Sequence, residues 1–356
     1  GFMSIWKQLI AVQPVSGSAK GGSDRLKRVL GPVALTAIGL GATIGTGIFV
    51  LTGRVAPKHG GPALTISLMI AAFGCALAAL CYSEFASFLP VSGSAYSYAY
   101  ATLGEGVAWF IGWNLSLEYM LSASAVAVGW SGYMTNLLGD WGIHFPAALV
   151  SAPLDGSLRP TGAIINAPAV LIVAGMSWVC YVGVRQSWGA NSFMVYLKVG
   201  VVIVFVLAGL KYVDTSNWEP YIPQNTGTFG NFGWSGIMQG AAIIFFSYIG
   251  FDTASTTALE SRNPQRDVPL GILSALVISC VLYVAMAAVV TGMVPFTQLN
   301  VSEPVAVAID AHPELSWVGT FVKIGAIAGM TSVILMSLLG QPRILLAMAD
   351  DGLIPP

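Results

Sequence analysis

The chain has 356 residues, of which 55% are apolar and only 9% charged, with 15 basic residues against 16 acidic ones. A soluble domain carries about a quarter charged residues, so this composition excludes a fold solvated by water alone and makes lipid part of the solvent. The near-zero net charge argues against nucleic acid as a partner.

In chain order, the first 30 residues are polar. They hold Phe2, Ile5, Trp6, Leu9 and Ile10 at near-helical spacing, which fits a helix lying on the membrane surface or unstructured chain equally. Nothing there reads as a cleavable signal peptide. A helical membrane crossing needs roughly 20 predominantly apolar residues. Stretches 33–51, 62–89, 97–121 (extending toward 133), 167–184, 192–210, 237–259, 268–294 and 318–339 meet this. They are expected to be helices, because each span must satisfy its own backbone polar groups in lipid, and the alternation of a membrane barrel is absent. Cys75, Cys81, Cys180 and Cys280 fall inside apolar runs without metal-like spacing and read as small buried hydrophobes. The segment 343–356 reads as a stretch leading into another helix, so that the chain stops early, after its eighth span.

Loop charge sets the expected orientation. With the N-terminus inside, Lys7, Lys20, Arg25, Lys27, Arg28, Arg185, Arg262, Arg266 and Arg343 are cytoplasmic, whereas only Arg54, Lys58, Arg159 and Lys211 are outside. The connections 136–166, 212–234 and 296–317 are then extracellular.

Two spans depart from a plain membrane helix in matching ways. The first carries Gly39, Gly41, Gly45 and Gly47 with Thr43 and Thr46 between them, and each glycine costs about 1 kcal/mol in a helix interior. The sixth carries Phe246, Ser247, Ile249, Gly250 and Asp252, then Thr253, Ser255, Thr256 and Thr257. Gly-interrupted spans at corresponding places in two halves point to a transporter binding site. The amide end of one break suits a carboxylate, and the free carbonyls of the other suit an ammonium or a cation. The competing reading is that Gly41 and Gly45 merely let helices pack closely.

The motifs 41–49 (GATIGTGIF), 90–96 (PVSGSAY), Phe251-Asp252 with Glu260 and 263–269 (NPQRDVP), and Pro342-Arg343 with 347–352 (AMADDG) together resemble the amino acid–polyamine–organocation superfamily, its cationic amino acid transporter branch above all. The resemblance runs from about Leu26 to the end. It implies an all-helical, polytopic leucine-transporter fold of two inverted five-helix repeats with helices 1 and 6 broken. On this chain it implies a cytoplasmic segment 1–30, a first repeat 31–211, a linker 212–233 and an incomplete second repeat 234–356.

Residue by residue, the resemblance matches Thr46 and Gly47, beside Gly45, to positions holding a substrate carboxylate. It matches the carbonyls of Thr43, Phe246, Ser247 and Ile249 to those receiving the ammonium, and Phe246 to an aromatic gate. The bland reading of Thr43 and Thr46 is a hydroxyl bonded back to its own helix. Lys198 is an ionisable group in mid-span, a functional pointer in itself. In proton-coupled relatives a lysine here stands where sodium-coupled members bind their ion. It is expected to donate to carbonyls near Gly41 and Ala42 and to hydroxyls such as Thr331 or Ser332. Glu118 is the second proton-coupling candidate, or a hydrogen-bond partner of the first break. Glu84 reads as an anchor or gate, Asp252 as bonding the unwound backbone, and Lys323 as snorkelling outward. Met330 is expected to narrow the side-chain pocket, favouring small neutral substrates, whereas the branch resemblance favours cationic ones.

The expected function is therefore proton-coupled symport of L-amino acids across the plasma membrane, with an amino-acid exchanger as the alternative. The coupling ion is the proton, and no cofactor and no metal site are expected. Enzyme and channel motifs are absent. The substrate and the bilayer are the expected partners, with a small membrane subunit or a sterol left open.

Overall fold

The computed structural model describes residues 11–12, 30–88, 94–154, 159–182, 188–256 and 260–355. Most of the N-terminal segment, the motif residues Pro90, Val91, Ser92 and Gly93, the loop residue Arg185, and Thr257 lie outside the described residues.

Helix α1 spans Pro32–Thr43, with Pro32 at its first turn, where a missing N–H costs nothing. It stops at Ile44, and two short helices continue the segment, α2 (Thr46–Phe49) and α3 (Leu51–Val55). There follow α4 (Leu64–Phe88), α5 (Ser94–Thr102), α6 (Glu105–Asp140), α7 (Ala167–Val182) and α8 (Trp188–Gly209). Helix α9 (Gly233–Ile244) is interrupted like α1 and resumes as α10 (Thr253–Thr256). The remainder is α11 (Pro264–Met293), α12 (Pro304–Asp310) and α13 (Ser316–Asp350). Among the described residues there is no strand, only isolated bridges, one of which joins Leu30 ahead of α1 to Ser261 behind α10.

Five stretches, Leu51–Ser87, Phe193–Tyr212, Gly233–Ser255, Pro264–Met293 and Pro313–Asp350, are long and apolar enough to cross a membrane, while α1 and α7 are shorter apolar helices. The third expected span differs most. It is a separate helix α5 followed by a 36-residue α6, about 54 Å long at 1.5 Å per residue, with Gly104 at φ 97 turning the chain between them. The eighth also runs further than expected. Pro342 lies inside α13, which continues to Asp350; a proline removes one backbone bond, and the packed neighbours keep the rest of the helix.

Helix α6 lies along α13, and α11 packs on both α4 and α1. The small residues at these crossings set the approach. A Cβ on Gly271 would lie 2.7 Å from Leu35 Cβ, and one on Gly39 would lie 2.7 Å from Ala275 Cβ. Gly39, one of the glycines expected to ease unwinding, therefore serves close packing inside an intact α1 instead. Apolar side chains such as Phe73, Leu77, Leu171, Trp178, Phe193 and Tyr196 point outward, as lipid-facing residues do. Cys81 is exposed in the same way, contrary to the expectation that all four cysteines are buried; only Cys75 is fully so.

Replacing Gly271 with leucine is expected to force α1 and α11 apart, at a cost of about 1–3 kcal/mol. A lowered thermal midpoint of the purified protein in detergent measures this, and an unchanged midpoint would disprove the tight crossing.

Candidate functional site

The interruption of the first helix is local. The Ile44 N–H still bonds the Leu40 carbonyl at 2.9 Å, but Ile44 itself turns extended (φ −75, ψ 102) and Gly45 follows before α2 starts at Thr46. The amides opening α2 have no preceding turn to bond. The second interruption tightens first, through a 3₁₀ turn Phe245–Tyr248, and leaves the helix at Ile249 (φ −55, ψ 137). Gly250 then takes φ 104, which side-chain-bearing residues rarely adopt.

The two interruptions touch. A Cβ on Gly47 would overlap Ser247, and one on Gly250 would lie 2.9 Å from the Ala42 carbonyl carbon and oxygen. Here glycine is what permits backbone to meet backbone. The Thr46 and Ser247 hydroxyl oxygens are buried there without a hydrogen-bond partner among the described residues. Thr43 spends its own hydroxyl on the Gly39 carbonyl of its helix, at 2.8 Å, the bland alternative for that side chain. The Thr43 carbonyl instead accepts from Tyr283 Oη at 2.7 Å, and the same hydroxyl lies 3.0 Å from the Ser247 carbonyl. Tyr283, fully buried on α11, thus bridges both interruptions. Sequence reasoning missed it. Its signal was a lone phenol in the apolar run of the seventh span, where a buried hydroxyl must find a partner.

Helix α13 supplies an apolar wall. Met330 is fully buried, and its Sδ, the Thr46 methyl and Val50 all gather at the Cβ position of Gly129 on α6, while Val333 packs on Gly45. Phe246 and Ile249 are half-buried at the second interruption. Lys198 on α8 is 1% exposed. Its Nζ donates to the Gly41 carbonyl at 2.7 Å, and its stem lies along Gly329. The α13 hydroxyls expected beside it are engaged elsewhere. Thr331 accepts from Trp130 Nε1 at 2.9 Å and donates to the Ile327 carbonyl, and Ser332 donates to the Gly329 carbonyl.

Glu118, half-buried on α6, and Asp252 are near enough for their charges to interact, with Tyr82 and Tyr119 in the same group. Asp252 accepts from Ser94 Oγ at 3.1 Å, a bond to the described end of the 90–96 motif. Glu84 is exposed. Lys323 corrects its expectation. It does not snorkel; it is 1% exposed and pairs with Asp140 at 2.8 Å and Asp310 at 2.9 Å, carboxylates whose convergence only the fold reveals. Among the described residues no cluster of histidine, cysteine and acidic side chains could hold a metal ion.

Two apposed broken helices inside a helical, multi-pass membrane chain define the leucine-transporter class of fold. The crystal structure of MhsT in complex with L-phenylalanine superposes with a TM-score of 0.63 over 91% of this chain and 75% of that one, at 18% identity, a likeness of fold alone. The amino acid permease family model matches residues 30–356, and the chain belongs to that family of transporters, which are not enzymes. It is 46% identical to the branched-chain amino acid permease BcaP of Bacillus subtilis (strain 168) and 45% identical to the methylthioribose transporter of the same organism, each over 95% of this chain and 70% of the relative. It is 39% identical to the vacuolar cationic amino acid transporter 4 of Arabidopsis thaliana, over 94% of this chain and 54% of that one.

Tyr283→Phe keeps the ring and removes the bridging hydroxyl, leaving buried carbonyls short of a donor. A loss of about 1–3 kcal/mol is expected, read as an earlier thermal midpoint in detergent; equal midpoints would show that the hydroxyl bridges nothing of consequence.

Proposed function

We propose that the protein is a secondary active transporter that carries L-amino acids across the plasma membrane by alternating access, in symport with protons. In this reading the N-terminus is cytoplasmic, residues 31–211 form the first repeat, and residues from 234 onward belong to the second. The observation that carries it is the pair of buried, partnerless hydroxyls, Thr46 Oγ and Ser247 Oγ, at the contact of the two interruptions. Buried polar groups are normally paired, so two orphans at open helix ends support a polar ligand docking between them.

The substrate carboxylate is assigned to the α2 amides at Thr46 and Gly47, beside Gly45, and to the Thr46 hydroxyl, where the helix end favours negative charge. The ammonium is assigned to the carbonyls of Thr43, Phe246, Ser247 and Ile249, with Phe246 as the gate. The apolar wall of Met330, Val333 and Val50 suits a neutral side chain better than a guanidinium. The names of BcaP and the cationic transporter set the two substrate classes to compare.

Lys198 is the proposed coupling residue. A protonated amine makes a stronger, charge-assisted bond to the Gly41 carbonyl than a neutral one. Its protonation state therefore bears on how the end of α1 is held. Glu118 is proposed as the group exchanging the coupled proton.

The full chain, reconstituted in liposomes, is expected to accumulate labelled alanine or leucine, in preference to arginine, when an inward proton gradient is imposed. Lys198→Ala should lose gradient-driven accumulation while retaining exchange. Equal, gradient-independent exchange in both proteins would instead identify an exchanger and sink the role of Lys198. Met330→Ala should shift preference from alanine toward leucine by roughly tenfold, the scale of a few methylenes in an apolar pocket; an unchanged ratio would remove Met330 from the pocket.

A further inference from the structure

The connection 294–315 carries α12 and lies against both the first interrupted helix and α6. Its carbonyls at Leu299 and Val301 crowd Gly53 on α3, and Glu303 Oε2 lies 2.7 Å from the Cβ position of Gly132 on α6. Three residues earlier on α6, Gly129 faces Thr46 and Met330, so the connection covers the site from about one helical turn away. Next to Gly132 on α6, the Tyr133 hydroxyl donates to the Phe49 carbonyl of α2 at 2.7 Å, which ties the covered part of α6 to the first interrupted helix. At the end of α12, Asp310 meets Lys323 of α13, which also holds Asp140 at the end of α6.

We propose that Lys323, gripping Asp310 and Asp140 together, is a reversible clasp that keeps the 294–315 connection shut over the residues following the first interruption. Three elements meet on one ammonium, so lifting α12 takes away one of its two carboxylates. The aspartate side chains are 42% and 44% exposed while that of Lys323 is 2% exposed. Water and salt thus reach the acidic half of the clasp, which keeps the pair weak enough to open. The buried lysine needs at least one carboxylate, and Asp140 remains to supply it when Asp310 leaves. The clasp concerns access to the site proposed above, but it stands on contacts that need no substrate.

The test uses purified full chain in detergent, with the four native cysteines replaced by alanine and Val50→Cys as a reporter; Val50 is 6% exposed and lies three residues before Gly53, on which the connection sits. Labelling by a water-soluble maleimide is expected to be slow with the clasp intact. Asp310→Asn should accelerate it at least about fivefold, the lower end of typical conformational couplings. Asp310→Glu, which keeps the charge, should stay slow. Raising the salt concentration should speed labelling of the unaltered clasp, a measurement that needs no substitution in it. Slow labelling of monodisperse Asp310→Asn, an Asp310→Glu variant as fast as Asp310→Asn, or a rate indifferent to salt would each overturn the proposal. No amino acid is present in any arm, so failure of the clasp is separable from failure of the transport reading.

Discussion

A helix interrupted inside a membrane releases backbone groups that lipid cannot satisfy, so each interruption must be answered by something nearby. Here the answer to both is largely one side chain. The Tyr283 hydroxyl stands within bonding distance of a carbonyl on each interrupted helix, and the two helices come close enough to share it because Gly47 and Gly250 carry no Cβ to hold the chains apart. The site follows from this contact. The orphan hydroxyls of Thr46 and Ser247, the apolar wall of α13 and the helix end held by Lys198 all gather around it.

The two buried lysines show how differently one charge can be housed. Lys323 sits between two carboxylates that reach toward solvent, so its charge is compensated outright. Lys198 donates to a backbone carbonyl, that of Gly41. A carbonyl dipole holds a cation far less firmly than a carboxylate does, so structure around Lys198 responds to its protonation more readily than structure around Lys323. Burial does not by itself distinguish them, each lysine being 1% exposed; the neighbours do.

The interrupted helices were legible in the sequence because a glycine cluster in one span and Gly250 among small polar residues in the matching one leave a pattern that packing alone does not require. Their position was legible only in part, since Gly39 and Gly45 look alike in one dimension and only contact with Ala275 or Val333 separates them. The carbonyl partner of Lys198 could be anticipated from the resemblance to a family, whereas the engagement of Thr331 with Trp130 could not, because it depends on how α6 lies along α13. Lys323 was misread for a similar reason. Its carboxylates come from residues 140 and 310, far apart along the chain, and periodicity carries no information about which distant helix ends converge. Tyr283 was overlooked because a tyrosine in an apolar run looks like any large core residue until the carbonyls opposite it are known.

The Tyr283 bridge has an arithmetic of its own. A phenol carries one proton, and two carbonyls face it at 2.7 and 3.0 Å. That proton is shared between the two interrupted helices, and each carbonyl keeps acceptor capacity beyond it. The bridge therefore works as a joint as well as a tie: a shift of either helix changes how the one hydrogen is divided between them.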